Sequence, residues 1–481
     1  MNISGRVTQH DKYQVEMKFV CPIDHSRKVN DYHIDVFFFI PRNLQVDAQS
    51  YPKEKFYADL TDYLRLKTPE IHIADLAKEE NNVFRSLATS LRNAGEDATE
   101  QLKMFCSVAK VAFRDGAGAL LELPPAERAE QLSGYLDHVN TVLYRYRALR
   151  QEFPQEERFL VELFDLVDEF LSVTANAYKY QLWKQFDADN NVIAVIRESA
   201  EREIAYRKER NYPSVPDPAG DNAELLYRES TMKKTMASVL YLKTAVRKAG
   251  VLLENIFLSV AAAIAMIFVT GIAFLWRGLF LEEFSLSFFI VWVVAYMFKD
   301  RIKALLQQWF SSHRAAYAYD YNMKIYDAMD RKVGVCRESM TFRSEKNVDP
   351  ILRELRDRSA LSRHVNGPLS ENVLCYRKQI ELFTKQCGTI YRTFQVDGIN
   401  DIVRFNVRDW LRKMDNPVRP VYYPAADGSL GALKAKRLYH INMLIRYGGN
   451  GQDERCMRFR LVLARNGIKS VEQVRHRKKK S

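Results

Sequence analysis

The chain lacks the residue patterns that usually announce a reaction. It contains no G-x-x-x-x-G-K-[ST], no G-x-G-x-x-G, no H-E-x-x-H and no G-x-S-x-G. Those absences remove glycine-rich phosphate loops, helical zinc sites and the serine elbow as starting points. Six cysteines (Cys21, Cys106, Cys336, Cys375, Cys387, Cys456) form no C-x-x-C and no regular spacing. Neither a disulfide framework nor a thiolate metal site is indicated, and all six are expected to be buried free thiols. Cys21, Asp24 and His25, with His10 and His33 on neighbouring segments, are the nearest approach to a metal cluster. They are too loosely spaced for the four convergent ligands that zinc takes, so no metal or cofactor is expected. His440 stands alone on the polar face of an expected strand and reads as structural. Met1 to Gly5 leads into polar residues rather than a charged-then-apolar leader, so an internal segment is expected to direct any membrane insertion.

What the chain does have is one long stretch without charge. Asn255 to Trp276 is about 22 uncharged residues, close to the ~20 that a helix needs to cross a hydrocarbon core. A buried core helix is usually nearer 10–14 residues, so the length favours lipid. After Arg277-Gly278 a second run extends from Leu279 to Phe298, interrupted by Glu282 and Glu283. Its uncharged part alone is short of a ~30 Å core at 1.5 Å per residue. Starting it at Leu279 puts both glutamates in the headgroup region, where carboxylates are tolerated. Trp276, Trp292 and Tyr296 fit an interfacial aromatic belt, and Ala261 with Ala265 makes a small-residue seam for close helix contact. Lys233, Lys234, Lys243, Arg247 and Lys248 precede the first arm, and Lys299, Arg301, Lys303 and Arg314 follow the second. Positive charge stays cytoplasmic, so both termini are expected on that side of a bacterial inner membrane, with two passes. The membrane-interface residues are thus Trp276, Arg277, Glu282, Glu283, Trp292, Tyr296, Lys299 and Arg301.

At 481 residues, length suggests two or three domains. Residues 1–50 read as a β-hairpin: Val15, Met17 and Phe19 alternate with polar neighbours, and Tyr32 to Ile40 is a second strand ended by Pro41. Residues 51–211 read as a cytoplasmic helical bundle, with Thr68-Pro69-Glu70 as a helix start and Phe159, Leu160, Leu163, Phe164, Val167, Phe170 and Leu171 as an amphipathic stripe. Residues 212–222 are a Pro-marked linker, 223–253 a stalk helix continuous with the first arm (254–276), 279–298 the second arm, and 299–331 a juxtamembrane helix. Residues 332–470 read as an α+β domain. Val373, Tyr376, Ile380, Phe383, Cys387 and Ile390 recur at helical spacing, while Leu433 to Tyr447 and Met457 to Leu463 alternate as antiparallel strands around Gly448-Gly449-Asn450-Gly451. Tyr32-His33-Ile34-Asp35-Val36 echoes Tyr439-His440-Ile441-Asn442-Met443. The echo reads as coincidence unless residues 10–40 pair with 390–465.

Residues 471–481 form a basic tail carrying Arg475, Arg477, Lys478, Lys479 and Lys480. Such blocks attract anionic lipid at a cytoplasmic leaflet. The net charge of +12 is moderate and partly juxtamembrane, so nucleic acid is disfavoured as a partner; the lipid bilayer is the expected one, with a homo-oligomer or a protein partner compatible. The reading is an α+β membrane protein: a two-helix transmembrane hairpin between an N-terminal β-hairpin plus helical bundle and a C-terminal α+β domain with an antiparallel sheet. Its expected role is a membrane-anchored, non-enzymatic scaffold or sensor. The alternative is a membrane-tethered enzyme or nucleic-acid-binding effector with its site in the C-terminal domain.

Overall fold

A computed structural model describes residues 3–93, 96–152, 157–186, 190–249, 251–280, 286–314, 319–356, 371–388, 394 and 396–474. Strands from both ends of the chain build two antiparallel sheets. β1 (Ser4–Gln9), β2 (Gln14–Pro22), β3 (Val29–Ile40) and β4 (Leu60–Leu66) come first, and β5 (Lys243–Lys248) and β6 (Tyr321–Tyr326) bracket the apolar segment. β7 (Lys332–Ser344), β8 (Asn372–Phe383), β9 (Gly398–Asn406), β10 (Val418–Pro424), β11 (Leu430–Lys436), β12 (Tyr439–Gly449), β13 (Arg455–Ala464) and β14 (Gly467–Gln473) follow. The larger sheet has the order β14-β13-β12-β3-β8-β7-β6-β5, the smaller β1-β2-β9-β4, and β10-β11 is a separate ribbon.

The echoed pentapeptides therefore lie in neighbouring strands. Tyr32 to Phe39 pairs with Gly449 to Asn442, and Gln14 to Pro22 pairs with Asn406 to Gly398. Alternation explains why these strands layer. Tyr32, Ile34, Val36, Phe38 and Ile40 face the main core between the sheets, while Phe37 and Phe39 face a second apolar cluster with Val348, Leu352, Val373 and Leu444. Both faces of β3 are thus covered, as its nearly unbroken apolar tail requires. The β12–β13 turn uses Asn450 and Gly451 at φ 56° and 71°, where asparagine and glycine carry little steric penalty.

Between β4 and β5 the chain inserts a helical domain, in which Glu96–Glu122, Pro125–Ala148, Arg158–Gln185 and Asn190–Glu209 are the long members. Asn81 caps the helix Asn82–Arg92 by accepting from the Val83 amide at 2.8 Å. The stripe of Arg158–Gln185 is buried except for Phe159. A buried polar network ties these helices together. Arg147 donates to Asp168 and to both carboxylate oxygens of Glu203, and Tyr206 and Tyr212 also donate to Asp168. Replacing Arg147 with methionine leaves Asp168 and Glu203 buried without their cation. A loss of about 3–5 kcal/mol is expected from chemical denaturation, because orphaned buried charges are not rehydrated.

Between β5 and β6 the chain inserts two helices, Val251–Phe280 and Leu286–Arg314, packed against each other. Ala261, Ala265 and Val269 are buried on the first and Ala295 on the second, so the small residues form the seam of the pair. Among the described residues one helix, with its apolar window at Leu258–Leu275, is long and apolar enough to cross a membrane.

Several expectations are corrected. The segment 223–253 is no continuous stalk: a helix ends at Ala237, and Lys243–Lys248 is an exposed edge strand. The juxtamembrane helix expected over 299–331 is not one helix among the described residues: the second helix covers 299–314, and Tyr321–Tyr326 is strand β6. Thr68-Pro69-Glu70 starts no helix; the next one begins at Ile73, capped by His72. Leu433 to Tyr447 is two strands broken at Arg437-Leu438, one in the exposed ribbon and one in the large sheet. The proposed seam helix at 373–390 is mostly strand β8. Cys456 is exposed, unlike the other five thiols.

Candidate functional site

The most unusual interior residue is Lys378. On β8 it takes the place of an apolar residue in the inward series Leu374, Tyr376, Lys378, Ile380, Leu382, and it is fully buried between the sheets. Its ammonium lies 2.6 Å from Asp62 of β4, 2.7 Å from Asp401 of β9 and 3.6 Å from Glu338 of β7. The Tyr376 hydroxyl donates to Glu338 at 2.8 Å. Glu338 lies directly across the ladder from Lys378, so one cation and three carboxylates link strands of both sheets.

Three carboxylates around one ammonium cannot all stay ionised in a low-dielectric interior. Burial, opposed by Lys378 and reinforced by Asp62, pushes Glu338 up to about 8 and Asp401 up to about 7. Both groups thus hold protons when folded that an unfolded chain releases near pH 4. Raised folded values mean stability that is present below pH 4 and lost as pH rises through 7 and 8. The unfolding temperature is expected to fall between pH 6 and pH 8.5, at about 1.4 kcal/mol per pH unit for each proton held. Asp401→Asn and Glu338→Gln should each flatten that slope; a pH profile identical to the parent's would refute the assignment. The enclosure of Lys378 and Asp401 makes this cluster a structural lock between sheets.

An accessible cavity of about 360 Å³ lies on the other face of the smaller sheet, against the helical domain. Alternation sends Val15, Met17, Phe19 and Cys21 of β2 into the core and leaves Lys18 and Val20 on the outer face. Arg65 and Asn400, paired across β4 and β9, occupy the same face. Opposite them the helix Glu96–Glu122 presents Ser107, Lys110, Val111 and Arg114 at one helical face. Phe170 and Tyr178 come from Arg158–Gln185, and Lys233 and Met236 from the helix Ala223–Ala237. The Ser107 hydroxyl donates to the Met236 carbonyl at 3.3 Å, which docks that last helix.

Six cations line the cavity against one carboxylate, Glu70. Glu70 is 3.2 Å from Lys67, and Arg114 pairs with Asp115. Lys18, Arg65, Lys110 and Lys233 make no ion pair among the described residues, and the Arg65 Nε is buried without a hydrogen-bond partner. Burial first and Lys233 second hold the Lys110 ammonium below the usual lysine range, with Arg65 and Arg114 pushing the same way. Lys110 also lies 5.6 Å from the Phe170 ring centre. Convergent, uncompensated positive charge is costly, and an anion bound among these cations would offset it.

None of these cations was singled out by sequence reasoning except Lys233, read as juxtamembrane. They come from four separate segments, so only the fold assembles them; the period-four spacing of Lys110 and Arg114 was a local trace. The membrane-interface residues Trp292 and Tyr296 are exposed and stacked at 6.5 Å, with the Lys299 ammonium 3.9 Å from the Tyr296 ring centre and Arg301 exposed nearby. Trp276 and Arg277 lie within the first helix, which continues through Gly278 to Phe280, so the expected break at Arg277-Gly278 and the start of the second arm at Leu279 are corrected: the second helix begins at Leu286. Glu282, Glu283 and the tail residues Arg475, Arg477, Lys478, Lys479 and Lys480 lie outside the described residues. Cys21, Asp24 and His25 are not brought together: Cys21 is buried between the sheets, whereas Asp24 and His25 sit in an exposed turn. His33 pairs with Glu454 at 3.1 Å, and His10 with Glu16 at 3.6 Å. Compared with known protein families, curated proteins and solved structures, the chain matches none.

Proposed function

We propose that the protein is a membrane-anchored sensor whose sheets and helical domain sit on the cytoplasmic side of a bilayer, held by the two-helix hairpin. The observation that carries this reading is where the hairpin leaves and rejoins the body. β5 and β6 are paired neighbours, Lys248 opposite Tyr321, and the Ala249 amide donates to the Asp320 carbonyl at 2.9 Å. A chain that departs and returns at adjacent strands crosses a bilayer an even number of times. If the first helix crosses, the second crosses back.

Exposed surface supports the same reading. Only 17% of the Leu258–Leu275 window is buried. On the second helix Phe289, Ile290, Trp292, Val293, Val294, Tyr296, Met297 and Phe298 are all exposed. Apolar patches of this extent mark contact with lipid or a partner. The second arm is short: Lys299 lies 13 residues beyond the helix start at Leu286, or about 20 Å at 1.5 Å per residue. Lys299 and Arg301 have stems long enough to snorkel to the cytoplasmic interface, so the short arm still reaches across. The exposed basic strand β5, with Lys243, Arg247 and Lys248, sits at the same end. A sensor is favoured over an enzyme because the cavity gathers cations with one carboxylate and no histidine, a lining suited to holding an anion rather than to moving protons.

Membrane fractionation tests the anchor. The full chain is expected to sediment with membranes, resist alkaline carbonate and enter solution only with detergent. Recovery in the soluble fraction after lysis without detergent would end this reading.

A further inference from the structure

We infer that the cavity between the smaller sheet and the helical domain binds a small soluble molecule carrying two or more phosphates on a flat apolar body, of the nucleoside di- or triphosphate class. This names the ligand of the sensor reading, yet it stands on the cavity alone and holds whether or not the hairpin crosses a bilayer.

Three features point to that chemistry. First, the charge is too large for a monoanion: Lys18, Arg65, Lys110 and Lys233 converge without carboxylate partners among the described residues. Arg offers a planar fork and Lys a point charge, a combination suited to several phosphate oxygens rather than one carboxylate. Second, about 360 Å³ is at the lower end of the range for small-molecule sites, enough for a mononucleotide-sized ligand. The walls come from a sheet face and three helices, which makes a recess rather than a track for a polymer. Third, the floor is not wholly polar. Phe170, Tyr178 and Met236 line it beside the cations, offering a ring and apolar surface against which a base can lie. Backbone phosphate cradles of the glycine-loop kind are absent from the sequence, so side-chain cations must carry recognition here.

Position makes occupancy consequential. Lys233 and Met236 are on the helix that ends at Ala237. Six residues later β5 begins, and Val251 opens the first arm of the hairpin soon after. Between them Tyr241 bridges to Arg65, itself a cavity residue, and lies 5.7 Å from its guanidinium. A ligand drawn to Lys233 and Arg65 thus touches the helix from which the chain leaves the helical domain for the hairpin, and the residue that bridges to Tyr241 within that connection.

The test is calorimetric titration of the full chain in nanodiscs of neutral lipid, using adenosine and guanosine triphosphates, inorganic tripolyphosphate, and nanodiscs containing phosphoinositide. Saturable binding of a nucleoside triphosphate is expected, weakened by added salt, with tripolyphosphate at least tenfold weaker for want of the apolar body. Lys110→Gln and Lys233→Gln should each weaken binding about tenfold or more. Both variants should unfold at the same or a higher temperature than the parent, because each removes a repelled charge; this separates a binding role from a structural one. Failure of every phosphorylated probe to bind would overturn the inference. So would binding unchanged by both substitutions, tripolyphosphate binding as tightly as the nucleotides, or capture of the phosphoinositide bilayer alone.

Discussion

Replacing Lys378 with methionine is expected to remove about 3–5 kcal/mol of stability, a large part of the ~5–15 kcal/mol that holds a typical domain together. The reason is asymmetry. Lys378 is the single cation facing Asp62, Asp401 and Glu338 among the described residues, and its removal takes away the counter-charge of the negative charge this proton-sharing cluster carries, where water scarcely reaches. Methionine keeps the volume, so little of the loss is cavity formation. Neutralising a partner at the same time should restore much of it: Lys378→Met combined with Asp401→Asn is expected to be more stable than Lys378→Met alone. Denaturant titration of the single and double variants reads this directly. A single variant as stable as the parent would show that the cluster does not join the sheets.

The second large effect concerns the hairpin. Ala249 and Asp320 already face each other across the β5–β6 ladder, so residues 250–319 can be replaced by Asn-Gly, which favours a tight two-residue turn. The shortened chain is expected to remain in solution without detergent and to keep the circular dichroism and cooperative unfolding of the sheets and helical domain. The parent should need detergent throughout. If the shortened chain still sedimented with membranes while folded, the anchor would lie elsewhere.

Much of the architecture was legible where one pattern ruled one segment. Val15, Met17 and Phe19 alternate because β2 has one buried face, and the stripe in Arg158–Gln185 repeats because that helix has one. Reading failed where a charge interrupted an apolar series or an edge strand had no apolar face. Lys378 hides the period-two pattern of β8, leaving a misleading helical spacing through Val373, Tyr376, Ile380 and Phe383. Lys243–Lys248 is exposed along its whole length, so nothing but ladder pairing with β6 declares it a strand. The cationic cavity was illegible for a different reason: Lys18, Arg65, Lys110 and Lys233 are ordinary surface residues in sequence and acquire meaning only by converging. The transmembrane reading of the second arm was finer than hydropathy alone supports, and rests on the neighbouring positions of β5 and β6.

The placement of β3 also sets a timetable for synthesis. β3 is complete at Ile40, but its two neighbours, β8 and β12, end at Phe383 and Gly449. At about 5–20 residues per second, Phe37-Phe38-Phe39-Ile40 waits on the order of 17–70 s for its first neighbour. Both inserted units leave the ribosome in that interval, so the helix pair is made before the sheets that flank it can close. Nascent chains stalled before Asn372 should therefore recruit chaperones that hold apolar strands, and chains released after Gln473 should not.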